Sequence, residues 1–326
     1  MGRVPIMMLC ATLLLSCGEK ETTQSLPKNV TVVTGLQPGA SLLYLAHAAE
    51  RFEKQNLNLT IEPRPSGTLA LRSVIDGKVD ADVIFAADIA YLARQNLLPD
   101  YRVVATVFDS DNSNAIASLQ PFSSLADLEN KVLCTQYVSA LHFFGQALTE
   151  RSGAQNVIFK FVPVSELNRH LIEGECDYIT IREPFVSELI SQTNQTGFVK
   201  YFPGTFLQYE LMLAHRRLSD EDVSRLLLAM IDAESVLEEQ PDYAKQVLMD
   251  SFNADAKQVQ KLLADSVLSV SLYQPLIALF DREFVWLQSH GLSADSTTDT
   301  KSLLRPKPLR DAAPLRQTIL DYENEY

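Results

Sequence analysis

Leu71-Arg72-Ser73-Val74-Ile75-Asp76-Gly77-Lys78-Val79-Asp80 returns 97 positions later as Asn168-Arg169-His170-Leu171-Ile172-Glu173-Gly174-Glu175-Cys176-Asp177, with Arg, Ile, Gly and Asp in the same places. In both copies the reading is a helix that ends at a glycine, which takes the left-handed C′ conformation without a Cβ clash. An acidic residue then opens a strand. One such unit is a step of an α/β fold, and two point to equivalent halves, although chance alone also yields four identities over so short a stretch. These residues are architectural on either account.

Outward from the echo, short apolar runs alternate with amphipathic stretches from Asn29 onward, the pattern of β/α units that build a mostly parallel sheet. The strands read are Val30–Thr34, Leu57–Glu62, Ala81–Phe85, Val103–Val107, Ala115–Ser118, Lys131–Thr135, Ile158–Val162, Tyr178–Ile181 and Glu210–Ala214. Helices fall between them at about 42–54, 69–76, 89–95, 140–151, 166–173 and 185–191. From Asp220 the pattern turns helical throughout, over 221–239, 243–250, 256–267 and 273–290.

The N-terminus addresses the compartment. A basic start at Arg3 and an apolar run lead to Leu14-Leu15-Ser16-Cys17, which resembles a bacterial lipobox. The run is too short to span a bilayer, so residues 1–16 read as a lipoprotein signal peptide and Cys17 as the lipidated first residue of an exported, membrane-anchored chain. An ordinary secretory signal with a chance cysteine is the alternative. Residues 17–28 are polar and read as a tether.

What remains, about 310 residues, is long for one hydrophobic core and implies two compact domains. A net charge of −13 excludes nucleic acid and electrostatic adsorption to anionic lipid as modes of binding. No Cys and His spacing resembles a zinc site, and no cofactor is implied. Cys134 and Cys176 lie in or beside parallel strands at different expected heights, which favours two buried thiols over a disulfide.

In an open parallel sheet, ligands bind in the crevice at the strand C-terminal ends. The loops there run through Gln37-Pro38-Gly39-Ala40-Ser41, Pro65-Ser66-Gly67-Thr68, Ala86-Ala87-Asp88, Gln136-Tyr137-Val138-Ser139, Val164-Ser165 and Arg182-Glu183-Pro184. Most set Ser, Thr or Asp at a helix N-cap, or proline at the first helical position. Free helix N–H groups converging from two sides suit a small polar or anionic solute, although any one capping residue has the simpler role of capping. The candidate ligand-binding residues are Gln37, Pro38, Ser41, Tyr44, Gly67, Thr68, Asp88, Asn112, Gln136, Tyr137, Ser139, Arg182, Glu183 and Tyr209.

Several phrases in order carry a family likeness: Gln37-Pro38-Gly39 leading to Leu43-Tyr44-Leu45-Ala46, Gly77-Lys78-Val79-Asp80-Ala81, Ser124-Leu125-Ala126-Asp127-Leu128 and Arg182-Glu183-Pro184-Phe185. The chain resembles the periplasmic solute-binding proteins of nitrate, sulfonate, taurine and pyrimidine-precursor ABC importers over nearly all of residues 30–290. The resemblance implies a two-lobed type II periplasmic-binding fold with a mixed, mostly parallel sheet in each lobe and a hinge cleft. Lobe 1 would comprise 29–113 plus 208–292 and lobe 2 residues 114–207, with 293–326 a polar C-terminal extension. It implies a monomeric, non-enzymatic receptor that hands a small solute to an ABC permease. Presentation of the solute to a membrane sensor is the runner-up, and catalysis on a related fold the remote alternative, because no nucleophile and base constellation is evident.

Departures from the family pattern bear on the ligand. Arg182 stands where tryptophan is common and Asp88 where a small or hydroxylated residue is usual. Both charges are expected at the cleft, either bridging the lobes directly or holding a zwitterion between them. The alternative leaves Asp88 as a cap and Arg182 on the rim.

Overall fold

The computed structural model describes Gly2 and residues 26–194, 198–292 and 299–319. The lipobox, most of the tether and Ser296-Thr297-Thr298 lie outside the described residues.

The chain runs β1 (Lys28–Gly35), α1 (Ser41–Ala48), α2 (Arg51–Lys54), β2 (Leu57–Arg64), α3 (Gly67–Ile75), β3 (Val83–Ala87), α4 (Asp88–Leu92) and β4 (Tyr101–Ser110). It then crosses through β5 (Asn114–Ala117) to β6 (Val132–Thr135), α5 (Ala140–Ser152), β7 (Ile158–Phe161), α6 (Leu167–Ile172), β8 (Tyr178–Arg182), α7 (Phe185–Thr193) and β9 (Val199–Tyr201). A return through β10 (Gln208–His215) leads to α8 (Asp220–Glu239), α9 (Pro241–Phe252), α10 (Ala256–Ala264), α11 (Pro275–Ser289) and α12 (Lys307–Ala312). All nine expected strands are present. β9 is the addition, a three-residue edge strand too short to carry a readable alternation.

The fold is α/β and two-lobed. One sheet has the order β2-β1-β3-β10-β4 and the other β7-β6-β8-β5-β9. β1 pairs parallel with β2 and β3, and β6 likewise with β7 and β8. The antiparallel member of each sheet, β10 or β5, is a strand at a crossing between the lobes. Both β3 and β8 are buried along their whole length, which explains their near-continuous apolar reading. Each fully buried Val, Leu, Ile or Phe contributes about 1.5–3 kcal/mol relative to exposure.

The echo is real at its glycines and slips after them. Gly77 and Gly174 both take positive φ, 65° and 76°. In the second copy Asp177 precedes β8 directly and accepts from Val132 N at 2.9 Å, but the first-copy residue in that role is Asp82, which accepts from Thr31 N at 2.9 Å. Asp80 instead pairs with Arg217 at 2.6 Å. The two additional residues between Gly77 and its strand also explain why β3 begins at Val83 rather than at the expected Ala81.

Two expectations are corrected. Cys134 and Cys176 form a disulfide with their Cα atoms 5.9 Å apart. β6 and β8 are neighbours, and the residues just before β8 already run beside β6, with Asp177 N donating to Val132 O at 3.0 Å. The register sets Cys134 opposite Ile179, so the bridge comes not from strand pairing but from Cys176 in the turn before β8, which approaches Cys134 from outside the strand. The segment past residue 298, expected as a polar extension, is apolar on its inner side: Leu303, Leu304, Pro308, Leu309 and Ile319 are buried. Leu304 pairs with Val103 of edge strand β4, Arg305 N donates to Val103 O at 2.8 Å, and Arg316 holds Glu234 of α8 at 2.7 Å. An uncovered sheet edge invites pairing with other chains; this segment covers the Val103 end of β4, and Ser271 and Val267 pair with Thr106 and Asp109 further along. Its prolines and charges disguised four apolar anchors spaced too irregularly for any period. Among the described residues no helix is long and apolar enough to cross a membrane.

The disulfide closes a loop across 42 positions. Replacing both cysteines with alanine is expected to lower stability by about 2–4 kcal/mol in urea unfolding, chiefly by releasing loop entropy in the unfolded chain. An unchanged midpoint and slope would refute a stabilising bridge.

Candidate functional site

The loops at the C-terminal ends of β1, β2 and β3 meet those following β6 and β8, and side-chain hydrogen bonds beside them tie the lobes. The central one begins at Arg182, the last residue of β8. This buried guanidinium donates through Nη2 to Gln37 Oε1 at 2.6 Å. Gln37 Oε1 also accepts from Gly67 N at 3.2 Å, at the start of α3. The other end of the same amide, Nε2, donates to both carboxylate oxygens of Glu210 at 2.6 and 2.7 Å. One neutral amide thus relays between a buried cation and a buried acid.

Local geometry prescribes this arrangement. A Cβ on Gly39 would come within 2.5–2.7 Å of the Glu210 side chain, so the turn after β1 needs glycine for the acid to fit. Glu210 is 0% exposed. Burial pushes its pKa up to about 8, while Arg182 and the Gln37 hydrogen bonds pull the other way. Burial likewise lowers the pKa of Arg182, and Glu210 counters it.

The second contact is Gln136 Nε2 to Ser66 Oγ at 3.3 Å. In the third, Arg94 Nη1 donates to Ala90 O at 2.8 Å within its own lobe and to Val138 O at 3.1 Å across the gap. An aromatic seam closes one flank. Trp286 of α11 meets His142 and Phe143 of α5 with ring centroids 5.6 and 4.8 Å apart, and Phe143 packs on Phe206 at 4.8 Å. Burial, with a smaller push from His290, lowers the His142 pKa to about 4. Its Nδ1 accepts from Val138 N at 3.3 Å, which requires the neutral ring.

At the crossings Asn114 of β5 lies opposite Arg182 in the sheet, and its amide donates to Gln208 Oε1 at 3.0 Å. Arg182 Nε, Asn112 Oδ1, Ser113 Oγ and Asn114 Oδ1 are buried without hydrogen-bond partners. The orphaned Nε of Arg182 and Oδ1 of Asn114, its neighbour across the sheet, carry a desolvation cost that a polar solute could relieve.

The remaining candidate residues divide by position. Pro38, Glu183 and Pro184 line a small apolar cavity with Phe252, on which Tyr44 packs edge to face at 5.5 Å. Glu183 accepts from Ser187 N and Oγ at 3.2 and 2.8 Å, and burial raises its pKa. Thr68, Gln136 and Tyr137 line a separate groove on another side. Ser41 and Ser139 have local roles: Ser41 Oγ donates to Pro38 O at 2.6 Å, while Ser139 Oγ donates to Gln136 O at 2.7 Å and caps α5.

Asp88 does not meet Arg182. It is 0% exposed, accepting from Ile89 N at 2.8 Å and Tyr209 N at 3.0 Å, and burial raises its pKa to about 7. Asp88 is the first residue of α4 and not its cap, which is Ala87; its carboxylate binds the neighbouring N–H and ties down β10. Glu283 of α11, equally buried, has both carboxylate oxygens unpartnered, and its pKa is raised first by burial and then by Asp88. The lobe-bridging acid is Glu210, which sequence reading placed within a strand. Its signal was an acid opening an otherwise apolar run, Glu210-Leu211-Met212-Leu213-Ala214. Among the described residues no group of three or more His, Cys, Asp or Glu is placed to hold a metal.

Comparison with known proteins follows this geometry. A family model described as NMT1/THI5 like matches residues 37–244. The chain is similar in structure to the alkanesulfonate-binding protein SsuA from Xanthomonas axonopodis pv. citri bound to MOPS, at TM-score 0.73 and 18% identity, covering 86% of this chain and 99% of that one. It is also similar to the periplasmic aliphatic sulphonate binding protein SsuA from Escherichia coli (TM-score 0.69, 16% identity, 85% and 97% covered). The periplasmic nitrate-binding protein NrtA from Synechocystis PCC 6803 is likewise similar (0.69, 11%, 89% and 89%). No curated protein matches the chain by sequence.

Glu210 generates a pH prediction. Its folded pKa is raised, so the stability it contributes is complete below the unfolded value near 4.5 and is lost as pH rises through about 8. Asp88 acts in the same direction through about 7. Urea unfolding is expected to show falling stability from pH 5 to pH 8, with a shallower fall in Glu210→Gln. Equal slopes in the two proteins would show that Glu210 does not titrate in that range.

Proposed function

The chain belongs to the NMT1/THI5 like family, and from that premise we propose that it is the solute-binding component of an ABC importer, capturing a small polar or anionic solute between its lobes. One observation carries this reading: the buried Arg182 has its side-chain partner in the opposite lobe, an arrangement available only when the lobes are together. In this conformation the chain's own Gln37 and Glu210 satisfy the cation. A solute anion would take that place as the lobes part and close again, its charge meeting Arg182 and its polar atoms the orphaned Oδ1 of Asn114.

The proposed lobes are residues 29–113 plus 208–292, and 114–207, hinged where β4 leads into β5 and β9 into β10. The solutes named for the similar proteins, a sulfonate and nitrate, make anions the first class to test. Binding without chemistry is the proposed activity, and the ABC permease the proposed partner.

Thermal-shift screening of residues 18–326 against sulfonates, nitrate, amino acids and pyrimidines is expected to find a solute that raises the melting temperature by mass action. For an anionic solute, Arg182→Met should weaken binding by about 1.5–3 kcal/mol, roughly 10- to 150-fold. Small-angle scattering should show the radius of gyration fall on binding. Native affinity in Arg182→Met would remove the cation from the proposal, and a solute bound to one lobe with no change in shape would remove the hinge.

We further propose that Cys17 carries the lipid that holds the protein at the membrane, supported by Leu14-Leu15-Ser16-Cys17. In bacterial expression the native chain should partition into the detergent phase and Cys17→Ala into the aqueous phase. Equal partitioning would dispose of the anchor.

A further inference from the structure

A groove opens between the lobes beside the Ser66 and Gln136 bridge, on the side where Arg94 reaches Val138. Its walls include Thr68 and Arg72 of α3, Arg94 and Leu97 from the first lobe, and Tyr137 and Phe161 from the second. Three features set it apart from the rest of the surface.

The first is charge. Neither arginine has a carboxylate within ion-pair distance among the described residues. Asp76, the acid on the groove wall, is paired with Lys78 at 3.1 Å. Arg72 and Arg94 are close enough for each other's charge to act: the Arg94 pKa falls to about 10, through burial first and then through Arg72. Two guanidiniums lining one groove with no paired carboxylate are costly in any chain, and they are conspicuous in one of net charge −13.

The second is apolar exposure. Tyr137, Phe161 and Leu97 are 51%, 43% and 56% exposed and line the same groove. Tyr137 and Phe161 meet at 4.8 Å between ring centroids, presenting two aromatic rings to one space. Clustered exposure of this kind marks a binding surface more often than scattered single residues do.

The third is backbone. Val138 takes φ 47°, a left-handed conformation unfavourable for a β-branched residue. It is held there from both sides, its carbonyl by Arg94 and its N–H by His142. The held loop is the one that turns Tyr137 outward. Strain kept in place by contacts from both lobes fits a surface assembled when the lobes close.

We propose that this groove binds a small aromatic acid, a flat ring bearing an anionic group, with the anion on Arg72 and Arg94 and the ring against Tyr137 and Phe161. Cations and aromatic faces in one cleft recognise that pairing better than either an inorganic anion or a neutral arene. The inference rests on the binding-protein reading above but on different residues, since it does not use Arg182.

The test is calorimetric titration of the folded protein with naphthalene-2-sulfonate, alongside methanesulfonate and 2-naphthol. The arene sulfonate is expected to bind at least about tenfold more tightly than either partial probe, and Arg72→Gln and Tyr137→Ala should each weaken it about tenfold, the scale of one charge-assisted or ring contact. Arg72 and Tyr137 are exposed, so neither substitution threatens the fold. Native-like binding in both variants, or no binding by the native protein at millimolar probe, overturns the proposal. Should Arg182→Met alone abolish binding, the probe sits in the central cleft: this groove is then excluded while the receptor reading stands.

Discussion

A buried guanidinium without a partner is among the least tolerable groups in a protein interior, and the relay from Arg182 through Gln37 to Glu210 answers that constraint. Much else follows from it. Gly39 keeps a Cβ out of the space Glu210 fills, and the N-terminus of α3 delivers Gly67 N to the same Gln37 oxygen. Because Arg182 comes from one lobe and Gln37 and Glu210 from the other, a buried polar contact is also one of those that hold the lobes together. In the proposed receptor, a solute that replaces Gln37 at Arg182 must offset the loss of this contact, which favours an anion over a merely polar group.

The two acids buried nearby show how context divides one chemistry. Asp88 accepts two backbone N–H bonds and serves as a tie to β10, whereas Glu210 depends on a side-chain amide from a neighbouring loop. Both are pushed up by burial, but only Glu210 lies on the path between lobes. On the flank, the seam of Trp286, His142 and Phe143 adds apolar contact that keeps His142 neutral. The lobes are thus joined by a polar centre and an aromatic edge.

Stability away from the cleft has its own devices. The disulfide fixes β6 to the approach of β8 in the second lobe, while in the first the edge at β4 is covered by Val267, Ser271 and Leu304. In each lobe a central strand ends at a buried charged residue, Asp88 just after β3 and Arg182 at the end of β8.

Chain length and the family resemblance implied the two lobes, while short-range pattern was enough to read nine of the strands, most of the helices, the α/β class and the sheet edge where loops gather. Each of the latter depends on periodicity, capping and glycine punctuation within about ten residues. It was also enough to single out Arg182 and Gln37, because both lie in loops at strand ends. Tertiary structure alone decided that they touch each other, 145 positions apart, and that the acid completing the relay is Glu210 rather than Asp88. It likewise decided the pairing of Cys134 with Cys176, the two-residue slip that makes Asp82 the counterpart of Asp177, and the burial of Leu303, Leu304 and Leu309. The physical reason is common to all of these. Partner choice across strands and lobes depends on register and close approach in space, and a one-dimensional pattern carries no information about which distant side chain will fill the gap.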